Sequence, residues 1–499
     1  MPDIHYGAML NAYPDSLGGR LSDIAALLKR DEVKGAFSSF YILPSLYHSD
    51  LDRGFSVVDY GLNEDLATEK DLQTLRELGI DLKLDFILNH ASVQSPEFRD
   101  LLEKGEASKY RDFFIDWNAF WAGHGEMTAE GYIQPDPALI RDMFFRKPGL
   151  PILMLEFPDG RKVPYWNTFY QQVDVDANGK KRYLGQMDLN IRSPLVWDFY
   201  ADTLKTLAGY GAKIVRLDAF AYAPKEVGAK NFLNEPGTWE LLEKVTELAR
   251  PYGIALLPEI HASYGEGIYR TIGEKGYMVY DFFLPGLMLD AFEQRSGAML
   301  ARWAREIIDS GFHTVNMLGC HDGIPLLDLK GLLPEERIQA LIQTLVGRGG
   351  YVKDLHGAKN VYYQVNATYF SALGEDEQRL LMSRAVQLFM PGRPQVWYLD
   401  LFAGKNDYEA MRRAGAGGHK EINRTNLSAA DIEAGLKRPV VQKQLELLKL
   451  RATCPAFHPD AEIAVKDEGS ALEIVWRHAG CDAALTADFA SGEYQVAIR

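Results

Sequence analysis

Ile214-Val215-Arg216-Leu217-Asp218-Ala219 decides how the rest of this chain is read. An apolar run ends in two opposite charges. In a strand, alternate residues share a face, so Arg216 and Asp218 point the same way. A guanidinium two residues away favours an ionised Asp218. The next apolar run, Leu257-Pro258-Glu259-Ile260-His261, also ends in ionisable groups. Its apolar neighbours predict a raised carboxyl pKa at Glu259, which suits a proton donor. On adjacent parallel strands the two acids come together. A separation of about 5–5.5 Å would specify double displacement with retention at a sugar carbon. Taken alone, each motif is equally compatible with a buried structural ion pair.

Working outward, six further runs have the same character: His5–Tyr13, Ala36–Pro44, Asp81–His90, Met278–Pro285, Thr314–Asp322 and Gln395–Asp400. With Lys213–Phe220 and Ile254–His261 they make eight predicted strands. Helical spacing of apolar residues marks Leu21–Lys29, Glu69–Leu78, Pro194–Tyr210, Thr238–Tyr252 and Ala298–Ser310. Strands alternating with helices predict an α/β fold, a (β/α)₈ TIM barrel. Several strands end in polar residues: Asn89-His90, Asp218, Glu259, His261, Asp281 and His321-Asp322. That is the barrel face on which active sites are built.

The barrel is expected from residues 1–90, 186–322 and 373–454. Residues 91–185 read as an inserted domain after strand 3, and 323–372 as a smaller insertion after strand 7. Residues 455–499 alternate polar and apolar, as in a small antiparallel β domain.

Composition bounds the function. The 499 residues carry a net charge of −15, which disfavours nucleic acid as a partner. The start lacks a basic segment followed by an apolar run, and no stretch is apolar enough to span a membrane. The expectation is therefore a cytoplasmic protein. Three scattered cysteines, Cys320, Cys454 and Cys481, argue against a disulfide framework. His90, Glu259, His261 and His321 lack the short paired spacing of a metal site, so no metal is expected. Monomer and homodimer are equally open.

The order Asp85-Phe86-Ile87-Leu88-Asn89-His90, then Arg216–Ala219, Pro258–His261 and Cys320-His321-Asp322-Gly323 resembles the α-amylase superfamily of glycoside-active enzymes over nearly the whole chain. Within it, the chain is similar to the sucrose phosphorylase group. That likeness rests on Tyr13–Gly19, Asp52-Arg53-Gly54-Phe55, Tyr363-Gln364-Val365-Asn366, Ala403–Asp407 and Ile422-Asn423-Arg424.

The resemblance implies a glycosyltransferase that moves an α-glucosyl group from a small α-glucoside to phosphate through a covalent intermediate, giving α-glucose 1-phosphate. It implies Asp218 as nucleophile, Glu259 as acid/base and Asp322 as transition-state stabiliser. Asp52, Phe55, His90, Gln186, Arg216, Tyr222, His261, His321 and Arg424 would surround the glucosyl unit. Arg146, Tyr363 and Gln364 would lie on the loops facing phosphate or acceptor. Phosphate is then a co-substrate and no cofactor is implied.

The physical chemistry agrees. Phe55 offers an apolar platform, and Asp52 with Arg424 can clamp hydroxyls through charge-assisted bonds. Phosphate approaching a cluster of carboxylates needs a guanidinium, here Arg146. Two departures fall in the acceptor region, one of them a stretch over Met154–Gly185 longer than the group's pattern. Sucrose-specific members carry an acid where this chain has Val361 in Asn360-Val361-Tyr362. The acceptor is therefore open among fructose, fructose 6-phosphate, glycerate and glycerol. An anionic one would suit Arg146, Lys147 or Lys353. An α-glucosidase or transglucosidase with the same triad is the alternative.

Overall fold

A computed structural model describes residues 5–146, 149–179, 181–355, 361–415 and 418–499, without the side chains of 353–355 and 361–363. Eight parallel strands form one sheet. They are β1 (Met9–Ala12), β2 (Ser39–Ile42), β3 (Asp81–Ile87), β4 (Ala212–Asp218), β5 (Ala255–Pro258), β6 (Val279–Asp281), β7 (Thr314–Met317) and β8 (Arg393–Trp397). Their order is β5-β4-β3-β2-β1-β8-β7-β6, and the two ends, β5 and β6, touch. This is a TIM barrel, closed in strand order.

Most strands are shorter than their apolar runs suggested. β5 stops at Pro258 and β7 at Met317. The apolar pattern runs on because the chain continues buried into loops and short helices, such as Tyr398–Leu401 after β8. Glu259, His261, His321 and Asp322 therefore stand just beyond strand ends, where side chains can turn toward one another.

The barrel interior is unusually polar. Lys83 is fully buried; its Nζ donates to Tyr280 Oη (2.5 Å) and Gln395 Oε1 (2.7 Å), and lies 3.9 Å from the Tyr41 ring centroid. Burial, reinforced by nearby Arg216, holds its pKa well below the ordinary lysine value. These contacts fill the space beneath the site with directed polar groups in place of branched aliphatics.

The expected seams at 90/91 and 185/186 fall inside two strands, His90–Ser92 and Lys181–Asp188, which pair with each other (Gln186↔Ser92). The intervening segment has its own small core of Ile115, Trp117, Trp121, Ile133 and Trp166. After β7, Ile324–Pro325 and Tyr351–Leu355 pair antiparallel with Val361–Asn366. The last four strands, Glu462–Glu468, Ala471–His478, Cys481–Asp488 and Glu493–Ile498, form an antiparallel sheet. Trp476 from this sheet is buried, its indole N–H donating to the Phe389 carbonyl (2.7 Å). The three cysteines are unpaired, although Cys454 Sγ and Cys481 Sγ lie 3.6 Å apart. Among the described residues no helix is long and apolar enough to cross a membrane.

Candidate active site

The register places Arg216 of β4 opposite Asp85 of β3. One guanidinium then meets three carboxylates. Nη1 lies 2.7 Å from Asp85 Oδ1 and 2.8 Å from Asp218 Oδ1, while Nη2 lies 2.7 Å from Glu259 Oε1. Tyr41 Oη steadies Asp85 from β2 by donating to Oδ2 (2.8 Å). Asp218 ends β4. The next residue, Ala219, adopts left-handed backbone angles (φ 51°, ψ 18°), a conformation costing about 1–3 kcal/mol that persists where its surroundings enforce it. Its N–H points at Glu259 Oε2 (3.4 Å), and the turn carries Tyr222 into the cavity.

Charges here differ from the expectation drawn along the strands. Glu259 is not in apolar surroundings. Burial opposes its charge, but Arg216 and then His261, whose Nε2 is 3.6 Å away, hold it below the ordinary glutamate value. His261 is itself held cationic, at about 10, because Asp328 and Glu259 outweigh its burial. Asp218 goes the other way: burial pushes it up to about 8 against the pull of Arg216. Two acids sharing one cation cannot both keep a full charge cheaply, so the pair retains a proton.

On one wall, both oxygens of Asp322 are held. Oδ1 pairs with Lys420 Nζ, and Oδ2 lies 3.3 Å from His321 Nε2. Burial works against its charge, yet Lys420, His321 and Arg424 keep it well below the ordinary aspartate value. Burial alone is the main reason His321 is depressed to about 3, hence neutral. His321 stacks on Phe55 at 5.0 Å between centroids. The Phe55 carbonyl in turn meets His90 Nε2 (3.0 Å) and Gln186 Nε2 (3.1 Å).

Arg424 departs from its expected place. It does not line the cavity. Its Nε donates to the His321 carbonyl (2.8 Å), and Nη1 reaches Asp52 Oδ1 (3.4 Å) from behind the wall. Asp52 sits more openly at the cavity edge, its side chain 43% exposed.

The Asp52-Arg53-Gly54 turn explains that motif. Asp52 and Arg53 both have left-handed φ (50° and 49°), and Gly54 has φ 110°. A Cβ on Gly54 would lie 2.0 Å from the Ser45 nitrogen and 2.1 Å from the Pro44 carbonyl carbon. Gly54→Ala is expected to destabilise the fold by at least about 1–3 kcal/mol from backbone strain alone. A denaturant midpoint equal to that of the parent protein would show the turn is more yielding than this geometry allows. Arg53, held over the Tyr13 ring (4.2 Å) and bonded to Asp15, ties the turn to the Tyr13–Gly19 motif.

The opposite wall carries Arg146. Its Nη1 donates to Tyr222 Oη (3.0 Å), and the guanidinium lies 5.0 Å from the Phe169 ring centroid. Phe144 and Phe232 continue this aromatic side, and Gln364 lines the cavity across from it. Tyr363, Lys147 and Lys353 were also expected here; their side chains lie outside the described residues. The cavity has a volume of about 630 Å³ and brings together Asp52, Phe55, His90, Arg146, Gln186, Asp218, Tyr222, Glu259, His261, His321, Asp322 and Gln364. Arg216 lies beneath it.

Sequence reasoning missed four contributors. Asp85 lies within a quoted motif but was given no role. Lys420, four residues before Arg424, carried a signal only in its proximity to that motif. Asp328, on the short 3-10 helix Leu327–Leu329, and Phe169, in a loop, have no sequence pattern pointing inward. Among the described residues no group of three or more His, Cys, Asp or Glu could hold a metal ion.

No family model matches the chain. It is 56% identical over 497 residues to a protein of Ilumatobacter coccineus named sucrose 6(F)-phosphate phosphorylase, covering 98% of this chain and 95% of that one. It is 35% identical over 474 residues to a sucrose phosphorylase of Streptococcus mutans, covering 94% and 92%. The crystal structure of sucrose 6F-phosphate phosphorylase from Thermoanaerobacter thermosaccharolyticum matches with a TM-score of 0.88 at 32% identity, covering 99% of this chain and 96% of that chain.

Proposed function

This chain belongs to the sucrose phosphorylase-like group of the α-amylase superfamily, and from that premise we propose that it transfers an α-glucosyl group from a phosphorylated sucrose to inorganic phosphate by double displacement. It is a glycosyltransferase of the phosphorylase type. The observation that carries the finer reading is one cavity with two acids on a single guanidinium at its floor and a second guanidinium, Arg146, on its wall. Water needs no cation to attack a glucosyl ester. A phosphate dianion entering among Asp218, Glu259 and Asp322 does.

Asp218 Oδ attacks the anomeric carbon while Glu259 donates a proton to the leaving oxygen. The freed acceptor departs, leaving a β-glucosyl ester on Asp218. Phosphate then attacks from the other face, Glu259 recovers a proton, and α-glucose 1-phosphate leaves with net retention. The first step needs Asp218 charged and the pair's proton on Glu259. A bound glucosyl unit presents a partly positive carbon to Asp218 and a basic oxygen to Glu259, and both effects draw the proton across. Arg216, bonded to both, accommodates either arrangement.

His321 lines the cavity, and its Nδ1 is buried without a protein hydrogen-bond partner, as fits a donor or acceptor for a sugar hydroxyl. Fructose 6-phosphate is the proposed acceptor. The relative at 56% identity is named for sucrose 6(F)-phosphate, and Val361 removes a carboxylate that would repel a phosphorylated acceptor. Phosphate is the co-substrate, and no cofactor enters the scheme. A cytoplasmic setting, where sugar phosphates are retained, completes the proposal.

The test is to supply α-glucose 1-phosphate with fructose 6-phosphate, fructose, glycerate or glycerol and follow phosphate release. Release with fructose 6-phosphate foremost supports the reading. Brisk hydrolysis of α-glucosides that ignores added phosphate would sink it in favour of a glucosidase. Arg146→Ala is expected to lower phosphorolysis relative to hydrolysis about 10- to 100-fold, the worth of one or two charge-assisted bonds. Equal loss of both activities would show that Arg146 does not meet phosphate.

A further inference from the structure

The loop bearing Arg146 has no helix or strand of its own at that point, so something else must set where the guanidinium stands. Asn231, in the loop between β4 and the helix Gly237–Ala249, is buried and uses its whole side-chain amide on one residue of the Arg146 loop. Oδ1 accepts from the Phe144 N–H (2.7 Å), and Nδ2 donates to the Phe144 carbonyl (2.9 Å). That is a closed, two-bond pairing of an amide with a peptide group, directional in both halves.

The next residue, Phe232, packs on the Tyr222 ring at 4.6 Å, and Tyr222 Oη accepts from Arg146 Nη1. One short segment thus grips the Arg146 loop by its backbone, two residues ahead of the guanidinium, and also seats the phenol to which that guanidinium is bonded. We propose that Asn231 is a positioning residue for the phosphate side of the cavity, fixing the Arg146 guanidinium through its paired bonds to the Phe144 backbone. This rests on the reading that Arg146 meets phosphate.

A purely structural role, stitching two loops together, is the competing account. The two loops have another join: Val227 from one, and Met143 and Phe145 from the other, pack against the same small core of Ile115, Trp117, Trp121, Ile133 and Trp166. Loss of Asn231 therefore leaves the loops associated and loosens only the Phe144 backbone beside Arg146. The consequence should fall on the step that uses Arg146. With an uncharged α-glucoside as donor, cleavage and hydrolysis in the absence of phosphate use the floor acids and bring no anion to Arg146. Capture of the glucosyl-enzyme by phosphate does. Misplacing a positioning group by about 1 Å costs up to about 100-fold in the step it serves.

The experiment compares Asn231→Ala, Asn231→Asp, Arg146→Ala and the double variant Asn231→Ala/Arg146→Ala. The measurements are the KM for phosphate and the ratio of phosphorolysis to phosphate-free hydrolysis of the same α-glucoside. Asn231→Ala is expected to raise the phosphate KM about 10-fold and lower the ratio to match. Asn231→Asp keeps the bond to the Phe144 N–H but sets a carboxylate oxygen against the Phe144 carbonyl, so it should raise the phosphate KM at least as far as Asn231→Ala. It also serves should the alanine variant not fold. In the Arg146→Ala background, Asn231→Ala should add almost nothing, because the group it positions is gone.

A phosphate KM unchanged in both Asn231 variants, beside an effective Arg146→Ala, overturns the inference alone. So does an Asn231→Ala effect that multiplies in full on top of Arg146→Ala, or one that depresses hydrolysis equally. An Arg146→Ala variant with unaltered phosphate KM removes the Arg146 reading and takes this inference with it.

Discussion

Asp218→Asn is expected to lower phosphorolysis by about four orders of magnitude or more, on the scale seen when a nucleophile is removed from a catalytic unit, while the protein stays folded. Asparagine matches aspartate in shape and its carbonyl oxygen can still accept from Arg216. It cannot form the glucosyl ester. Stability should move the other way. Burial raises the Asp218 carboxyl to about 8 in the folded chain, above its value of about 3.9 when unfolded.

The sign follows from linkage. Between those two values the folded state holds a proton that the unfolded state has released, so this group's contribution to stability falls as pH rises through the window. Asparagine has no proton to lose. Its advantage over the parent should therefore be absent near pH 4 and grow toward pH 8, read as a rising difference in melting temperature. Retention of more than about one part in a hundred of the activity would remove Asp218 from the nucleophile's role. A melting difference that shrinks with pH would contradict the account of its charge.

Arg216→Leu is expected to cost about 3–5 kcal/mol of stability, because removing one partner of a buried ion network leaves the others uncompensated. Here the orphans are three carboxyls, of Asp85, Asp218 and Glu259, converging on a side chain only 3% exposed. They would respond by binding protons, so the loss should be largest at alkaline pH and smallest where the acids are neutral. Activity should fall with it, since the floor no longer supports an ionised nucleophile beside a separate proton donor. Arg216→Lys should recover little. The native bonds leave two different nitrogens in fixed directions, and a single ammonium cannot reproduce that fork. Denaturant midpoints measured across pH decide it. A lysine variant with the parent's stability and rate would mean that charge suffices and the fork is incidental.

How far the site was legible can be seen in particular residues. Arg216 and Asp218 were paired correctly because a two-residue repeat in a strand is a local geometric fact. Glu259 was found but its surroundings were misjudged. The strand around it, Ala255–Pro258, is apolar, whereas the groups that set its charge are Arg216 on the neighbouring strand and His261 beyond its own end. Arg424 was expected in the cavity and stands behind its wall, held by the local Glu421 and by two partners far off in the chain, His321 and Asp52. Lys420 and Asn231 had no reading at all. Each acts through one or two contacts to a distant loop, and loop approach leaves no periodicity to detect.

What the amino-acid sequence determined by itself is the alternation of apolar strands and amphipathic helices, the barrel that follows, and the placing of its chemistry at the strand ends. Those depend on neighbours along the chain, where spacing sets direction. Only the tertiary structure decided that two acids share one cation and one proton, which cation faces the cavity, and what steadies Arg146. Those depend on distances between segments tens to hundreds of residues apart, and electrostatic energy in a buried site changes steeply over the last few ångströms.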